Sequence, residues 1–215
     1  MTAPRVLIFA NGVLPDFEKA RGLLQGDEAI ICADGGTRHA LALGLMPAVV
    51  IGDLDSLSDA DRKKLSDANI PISLHPHDKD ETDLELALGQ ALLMRPGAIL
   101  IVGALGSRLD HTLGNLSLLN DPRLSNIDCK LDDGVEEAFF CRGRSEIRGA
   151  AGDLVSLIPW GAPVTGVETE RLRWPLSGAV LHPEKTLGIS NEMLGDSATV
   201  RLDTGLLLIV HRRRT

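Results

Sequence analysis

Short apolar runs punctuate the first half of the chain at 5–10, 29–33, 48–52, 70–74 and 98–104, each rich in Ile, Val, Leu and Ala. Between and after them, at 16–25, 37–44, 58–68, 82–93 and 110–119, apolar residues recur at helical spacing. In 82–93, Leu84, Ala87, Leu88, Ala91 and Leu92 follow the i, i+3, i+4 rule of a helix face. Thr82 with Glu85 three residues on makes a capping box that starts this helix. Strands alternating with helices predict an α/β, Rossmann-like domain over residues 1–133, its parallel sheet covered on both faces. After residue 133 the rhythm shortens. Runs at 135–143, 145–149, 153–161, 164–176, 179–182 and 197–214 are separated by Gly, Pro and Asp turns. They predict an antiparallel β-sandwich over 134–215.

Composition narrows the class. At 215 residues, with 44% hydrophobic and 24% charged content, the chain has the makings of one or two ordinary cores. A net charge of −8 argues against a nucleic-acid coat protein, and the Arg212–Arg214 run reads as a solvated end. Cys32, Cys129 and Cys141 are odd in number and lack metal-ligand spacing; Cys32 sits in an apolar run and reads as core. No disulfide framework is implied, which fits a reducing compartment. The start has no basic segment leading into a long apolar one, and no apolar stretch approaches the ~18 residues of a membrane span. These features predict a cytoplasmic protein that binds neither membrane nor nucleic acid. Asn115-Leu116-Ser117 matches a glycosylation pattern by chance.

Parallel sheets bind ligands at the carboxyl ends of their strands, and the unusual polar clusters fall there. Asp34-Gly35-Gly36 follows the second strand, Asp53-Leu54-Asp55 the third and Gly106-Ser107-Arg108 the fifth. In an extended backbone Asp53 and Asp55 point the same way, toward one hard divalent cation that takes oxygen ligands. An Asp-rich turn, with Ser56 or Ser58 opening the next helix, explains the same residues without a cation. Capping accounts for Thr82, Asp83 and Glu85 but not for Lys79 between Asp78 and Asp80, a point charge suited to phosphate. Gly103 and Gly106 let backbone approach a ligand, and the helix opening at Asp110-His111 favours anions. His111 reads equally as a base or as a local hydrogen-bonding partner. The two standard nucleotide signatures, G-x-G-x-x-G and G-x-x-x-x-G-K-[ST], are absent.

Taken together, "ADGGT" at 33–37, "GDLDS" at 52–56, "DKDETDLELAL" at 78–88 and "GSRLDHTLGN" at 106–115 resemble the thiamine pyrophosphokinase pattern in order and spacing. "LRWPL" at 172–176 and "GISNE" at 188–192 resemble that family's thiamine-binding domain. The resemblance implies pyrophosphate transfer from ATP to the hydroxyl of thiamine, giving thiamine diphosphate and AMP. It also implies Mg²⁺ and a homodimer with active sites between subunits. By matching motif, Asp53, Asp55 and Asp83 become the metal-site and catalytic carboxylates, supported by Asp34. Lys79, Thr82 and Arg108 become contacts to the nucleotide phosphates, with Asp110 and His111 as partners of the phosphate loop. Ser190 and Asn191 would hold the thiamine pyrimidine. Trp174 either offers its ring to the cationic thiazolium or packs in the sandwich core. The competing readings are a non-catalytic thiamine or nucleotide sensor and a Mg²⁺-dependent nucleotide transferase with another alcohol acceptor. The full carboxylate set disfavours the first, and "GISNE" and "LRWPL" disfavour the second.

Overall fold

A computed structural model describes residues 3–75, 78–106 and 108–214 of the chain. Ser107 of the glycine-rich turn lies outside the described residues. The chain divides into two compact units, residues 1–134 and 135–215.

The first unit holds strands β1 (Arg5–Phe9), β2 (Ala29–Ala33), β3 (Val49–Gly52), β4 (Ile72–Leu74), β5 (Ala98–Val102) and β6 (Asp128–Asp132). Helices α1 (Phe17–Arg21), α2 (Thr37–Ala42), α3 (Asp59–Asp67), α4 (Asp83–Leu93) and α5 (Leu109–Leu118) connect them. The strands lie in the order β6-β5-β1-β2-β3-β4, and neighbours run parallel. Val6, Leu7, Ile8 and Phe9 are all fully buried, so β1 is covered on both faces, as a central parallel strand must be. On one face Leu7, Phe9, Cys32 and Val50 pack with Ala40 and Leu65 of the flanking helices. The order reverses at β1, with β5 on one side and β2 on the other, and that is where such sheets open a ligand crevice. Apolar periodicity did not announce β6. Only Cys129 and Leu131 are apolar among its five residues, and an Asp-rich turn follows at once.

The second unit holds β7 (Glu136–Cys141), β8 (Arg144–Arg148), β9 (Leu154–Pro159), β10 (Val164–Glu170), β11 (Ala179–Leu181), β12 (Asn191–Glu192), β13 (Ser197–Arg201) and β14 (Leu207–Arg212). Antiparallel pairing gives the order β12-β9-β14-β7 in one layer and β11-β10-β13-β8 in the other. Cys141, Val155, Leu157, Leu207 and Ile209 from the first layer share a core with Ile147, Val164, Val167, Ala198 and Val200 from the second. This is the expected sandwich. β10 stops at Glu170 rather than running on to 176, because Arg171 turns into the left-handed region (φ 60°) ahead of Pro175.

One buried polar group joins three parts of this unit. His211 of β14 is fully buried, with Nδ1 2.9 Å from Glu137 Oε1 on β7 and Nε2 3.0 Å from Asp153 Oδ2 just before β9. An ionised carboxylate only accepts, so the ring that satisfies both contacts is an imidazolium, donating from both nitrogens. Burial alone disfavours that charge, but the hydrogen bonds to Glu137 and Asp153 outweigh it and hold the His211 pKa above its ordinary value. Asp153 is the complement: burial would raise its pKa, but N–H donors of Arg214 and Ala150, together with His211, lower it. Arg213 stands 3.6 Å from the other Glu137 oxygen.

The direction of the His211 shift fixes a pH dependence. The folded value lies above the ~6.5 of an unfolded histidine, so between the two the native state binds more protons than the unfolded one. The stabilisation is complete below about pH 6.5 and is lost as pH rises through the folded value. Denaturant titrations should therefore show stability falling from pH 6 towards pH 9 in the native sequence. His211→Gln should cost about 3–5 kcal/mol at pH 6 and flatten the profile. A native profile as flat as the variant's contradicts the buried imidazolium.

Candidate functional site

The carboxyl ends of β2 and β3 are drawn together by missing side chains. A Cβ on Gly36 would lie 2.1 Å from the Phe9 carbonyl oxygen, so the turn after β2 can lie against the end of β1 only with glycine there. A Cβ on Gly52, whose φ is 143°, would lie 2.9 Å from the Asp34 Cβ. Asp34 opens a single turn of 3-10 helix leading into α2 and takes a left-handed φ of 41°. Its carbonyl accepts a hydrogen bond from Thr37 Oγ1 at 2.8 Å.

Beyond Gly52 the chain is not extended. Leu54 adopts a left-handed φ of 66°, and the Asp55 N–H donates to Asp53 Oδ1 at 3.1 Å. The two aspartates converge through this turn, not through the pleat of a strand as the sequence spacing suggested. Ser58 caps α3, its Oγ accepting from the Asp61 N–H at 3.2 Å. The Asp-rich turn is present, and it is the same segment that brings the candidate cation ligands together. Ligand oxygens of Asp34, Asp53 and Asp55 all lie within 4.8 Å of one another. Asp34 is only 6% exposed, and its Oδ1 is the one buried side-chain polar atom without a hydrogen-bond partner among the described residues. Two unit charges about 5 Å apart repel by roughly 1 kcal/mol in water and about 3 kcal/mol at an effective dielectric of about 20. An unpartnered buried carboxylate oxygen facing two more carboxylates could hold a hard cation.

These aspartates line a cleft of about 610 Å³ at the carboxyl ends of β1, β2, β3 and β5. Lys79, Thr82, Asp83, Arg108 and His111 line it too. Lys79 Nζ donates to Asp83 Oδ1 at 2.6 Å, and both side chains are largely sheltered. Asp83 stands outside the three-carboxylate cluster, in the first turn of α4. Thr82 caps that helix, its Oγ1 accepting from the Glu85 N–H at 3.2 Å. Asp110 is exposed and bound to Arg108 through Nε at 3.1 Å and Nη2 at 2.5 Å. The Arg108 hydrogen bond, aided by the His111 N–H, holds the Asp110 pKa at about 2.

Two cleft residues, Asn11 and Asn115, and the buried His39 beside the turn after β1 escaped the sequence reading. Asn11 stands over Gly35, where a Cβ would come within 2.4 Å of its side-chain oxygen. Asn115 Nδ2 donates to the Ala104 carbonyl at 2.8 Å, tying α5 to the turn after β5. Buried His39 places Nε2 2.9 Å from the Gly12 carbonyl oxygen; burial pushes its pKa down against the effect of that bond, so the neutral ring donates there. Asn11-Gly12 directly after the first strand was the available signal.

In the second unit Asn191 is buried, and three hydrogen bonds hold its amide. Oδ1 accepts from the Trp174 N–H at 3.0 Å and the Glu192 N–H at 2.9 Å, and Nδ2 donates to the Trp174 carbonyl at 2.6 Å. Trp174 itself is 53% exposed, with the Arg173 guanidinium carbon 5.0 Å from its ring centroid. It is not a core residue. Ser190 adopts a left-handed φ of 59°, and its N–H donates to Ser156 Oγ at 3.1 Å. Asn191 therefore brackets the loop that presents Trp174.

Residues 20–131 match the family model described as thiamin pyrophosphokinase, catalytic domain, and residues 144–207 match thiamin pyrophosphokinase, vitamin B1 binding domain. A thiamine pyrophosphokinase of Bacillus subtilis (strain 168) is 31% identical over 182 residues, covering 84% of this chain and 85% of the relative. The crystal structure of a Bacillus subtilis thiamine pyrophosphokinase superposes with a TM-score of 0.89 at 28% identity, covering 98% of this chain and 100% of that one. A second, from Geobacillus thermodenitrificans, gives 0.85 at 26% identity, with 98% of each chain covered.

The Asn191 bracket has a spectroscopic consequence. In a Trp160→Phe background, where Trp174 is the remaining tryptophan, Asn191→Ala should shift the emission and lower the melting temperature. Removing a buried amide that pairs with backbone costs about 1–3 kcal/mol. Unchanged emission and melting would mean the bracket does not hold the loop.

Proposed function

The chain belongs to the thiamine pyrophosphokinase family, and from that premise we propose that its cleft binds ATP and transfers the pyrophosphoryl group to the hydroxyl of thiamine. Residues 1–133 then form the ATP-binding catalytic domain and 134–215 the thiamine-binding domain. The observation that carries the reading is the Asp34–Asp53–Asp55 cradle, with its unpartnered buried oxygen, inside the cleft at the strand ends.

Its all-oxygen donor set fits a hard divalent cation such as Mg²⁺, held by Asp34, Asp53 and Asp55. Bound there, the ion would offset negative charge on the phosphate oxygens. Lys79 and Arg108 add positive charge at the phosphates. Each is paired with a carboxylate, Asp83 or Asp110, and each would exchange that partner for a phosphate oxygen when nucleotide binds. The Thr82 hydroxyl, the glycine turn after β5 and the N-terminus of α5 with His111 complete the phosphate surround. In the transfer, the alcohol oxygen bonds to the β-phosphorus as the bond from that phosphorus to the oxygen shared with the α-phosphorus breaks. AMP leaves, and the alcohol proton passes to Asp83 once Lys79 has turned to the phosphates. The acceptor is held by the second unit. Ser190 offers a hydroxyl to the pyrimidine, and the exposed Trp174 ring meets the cationic thiazolium on the loop that Asn191 fixes. The working enzyme is a homodimer, each site combining the cleft of one copy with the acceptor loops of the other.

Incubation with ATP, Mg²⁺ and thiamine should yield AMP and thiamine diphosphate in equal amounts, from a protein that sediments as a dimer. Asp53→Asn and Asp55→Asn should each cut turnover about 10²-fold or more without unfolding the chain, the size of a single lost electrostatic contribution at a reacting centre. Stoichiometric ADP with a monophosphorylated product would make this a simple kinase and contradict the reading.

A further inference from the structure

We propose that Arg62 is a positioning residue for the acidic loop, setting the backbone geometry on which cation binding by Asp53 and Asp55 depends; this rests on the metal-site reading above. Arg62 lies in the first half of α3 on its exposed side. Its guanidinium nevertheless reaches back over the loop that precedes the helix. Nη2 donates to the Leu54 carbonyl at 2.5 Å and Nε donates to the Leu57 carbonyl at 3.2 Å. One planar fork thus grips both ends of the turn that carries Asp55 and Ser56.

That turn needs a restraint. Leu54 sits in the left-handed region, which its Cβ disfavours. Left alone, the chain would relax toward an extended form and carry Asp55 away from Asp53 and Asp34. From beneath, the buried Leu54 and Leu57 side chains pin the turn. Within it, the Leu57 N–H donates to the Leu54 carbonyl at 3.2 Å and the Asp55 N–H to Asp53 Oδ1 at 3.1 Å. The Arg62 fork is the restraint supplied from the helix. Its other possible role, electrostatic, has the opposite sign. A fixed positive charge beside a cation site repels the cation, so if charge were all that mattered, removing Arg62 would tighten binding. The carbonyl bonds predict that removal loosens it.

The sign decides the experiment. Mn²⁺ binding to the intact protein, without nucleotide, can be followed by electron paramagnetic resonance in the native sequence, Asp53→Asn, Arg62→Met and Arg62→Lys. Met keeps the stem and removes both fork and charge; Lys keeps the charge and removes the fork. Both Arg62 variants should bind Mn²⁺ about 10-fold or more weakly, the usual consequence of losing a group that orients metal ligands. Both should melt close to the native temperature and exchange their 54–57 amides faster. Should Arg62→Met fail to fold, Arg62→Lys reads the fork alone. Unchanged or tighter binding in either variant overturns the inference while leaving the metal site intact. Native protein with no saturable Mn²⁺ site lost in Asp53→Asn overturns the metal-site reading and this inference with it.

Discussion

Three carboxylates held within 4.8 Å of one another repel, and the rest of the first unit is arranged to keep them there. Burying Asp34 beside Asp53 and Asp55 disfavours the cation-free protein by both desolvation and like-charge proximity. The backbone adds to that cost, with left-handed φ values at Asp34 and Leu54, offset in part by the local hydrogen bonds their carbonyls accept from Thr37 and Leu57. Strain collected at one point, with an unpartnered buried oxygen at its centre, is what the proposed cation site would offset.

The parallel sheet makes such a concentration possible. Its strands end together at the reversal in strand order beside β1, so the loops after β1, β2, β3 and β5 share one cleft. Gly36 and Gly52 let those loops approach to backbone distance, and the buried Leu54 and Leu57 anchor the acidic turn in the core. The cleft's cations, Lys79 and Arg108, are each held by a neighbouring aspartate rather than by the cluster. That pairing keeps them close to where phosphates would sit. In the second unit, the imidazolium of His211 ties β14 to β7 and to the turn before β9, while Asn191 makes a smaller bracket behind an exposed tryptophan.

Most of the architecture was legible in the chain because its signals are periodic. Alternation of apolar runs with helical stripes located β1 to β5 and the helices, and the shorter rhythm after residue 133 located the sandwich. β6 was missed because its apolar content is confined to Cys129 and Leu131. β10 was overextended because nothing in "ERLRWPL" marks Arg171 as left-handed. The acidic residues of the cleft could be named from spacing and motif, yet their geometry could not. The sequence suggested a pleated strand between Asp53 and Asp55, where the fold uses a left-handed leucine. Asp34, read as a nearby support, lies within 4.8 Å of Asp53 and Asp55, and Asp83 lines the same cleft paired with Lys79, a contact the spacing did not foretell. Such differences arise from close approach between separate loops, which no one-dimensional pattern records. The capping residues Thr82 and Ser58 were legible because an N-cap is a local arrangement.

The repulsion account is tested most directly by the stability of Asp34→Asn with and without Mg²⁺. The substitution keeps the shape of the side chain and removes one of the three charges. In chelator, the variant should be more stable than the native chain, because a like-charge contact at a buried position has been relieved. In saturating Mg²⁺ the order should reverse, since the native chain gains RT ln(1 + [Mg²⁺]/Kd) and the variant gains much less. A native chain that is the more stable of the two in chelator, and that gains no more from Mg²⁺ than the variant does, would contradict the account.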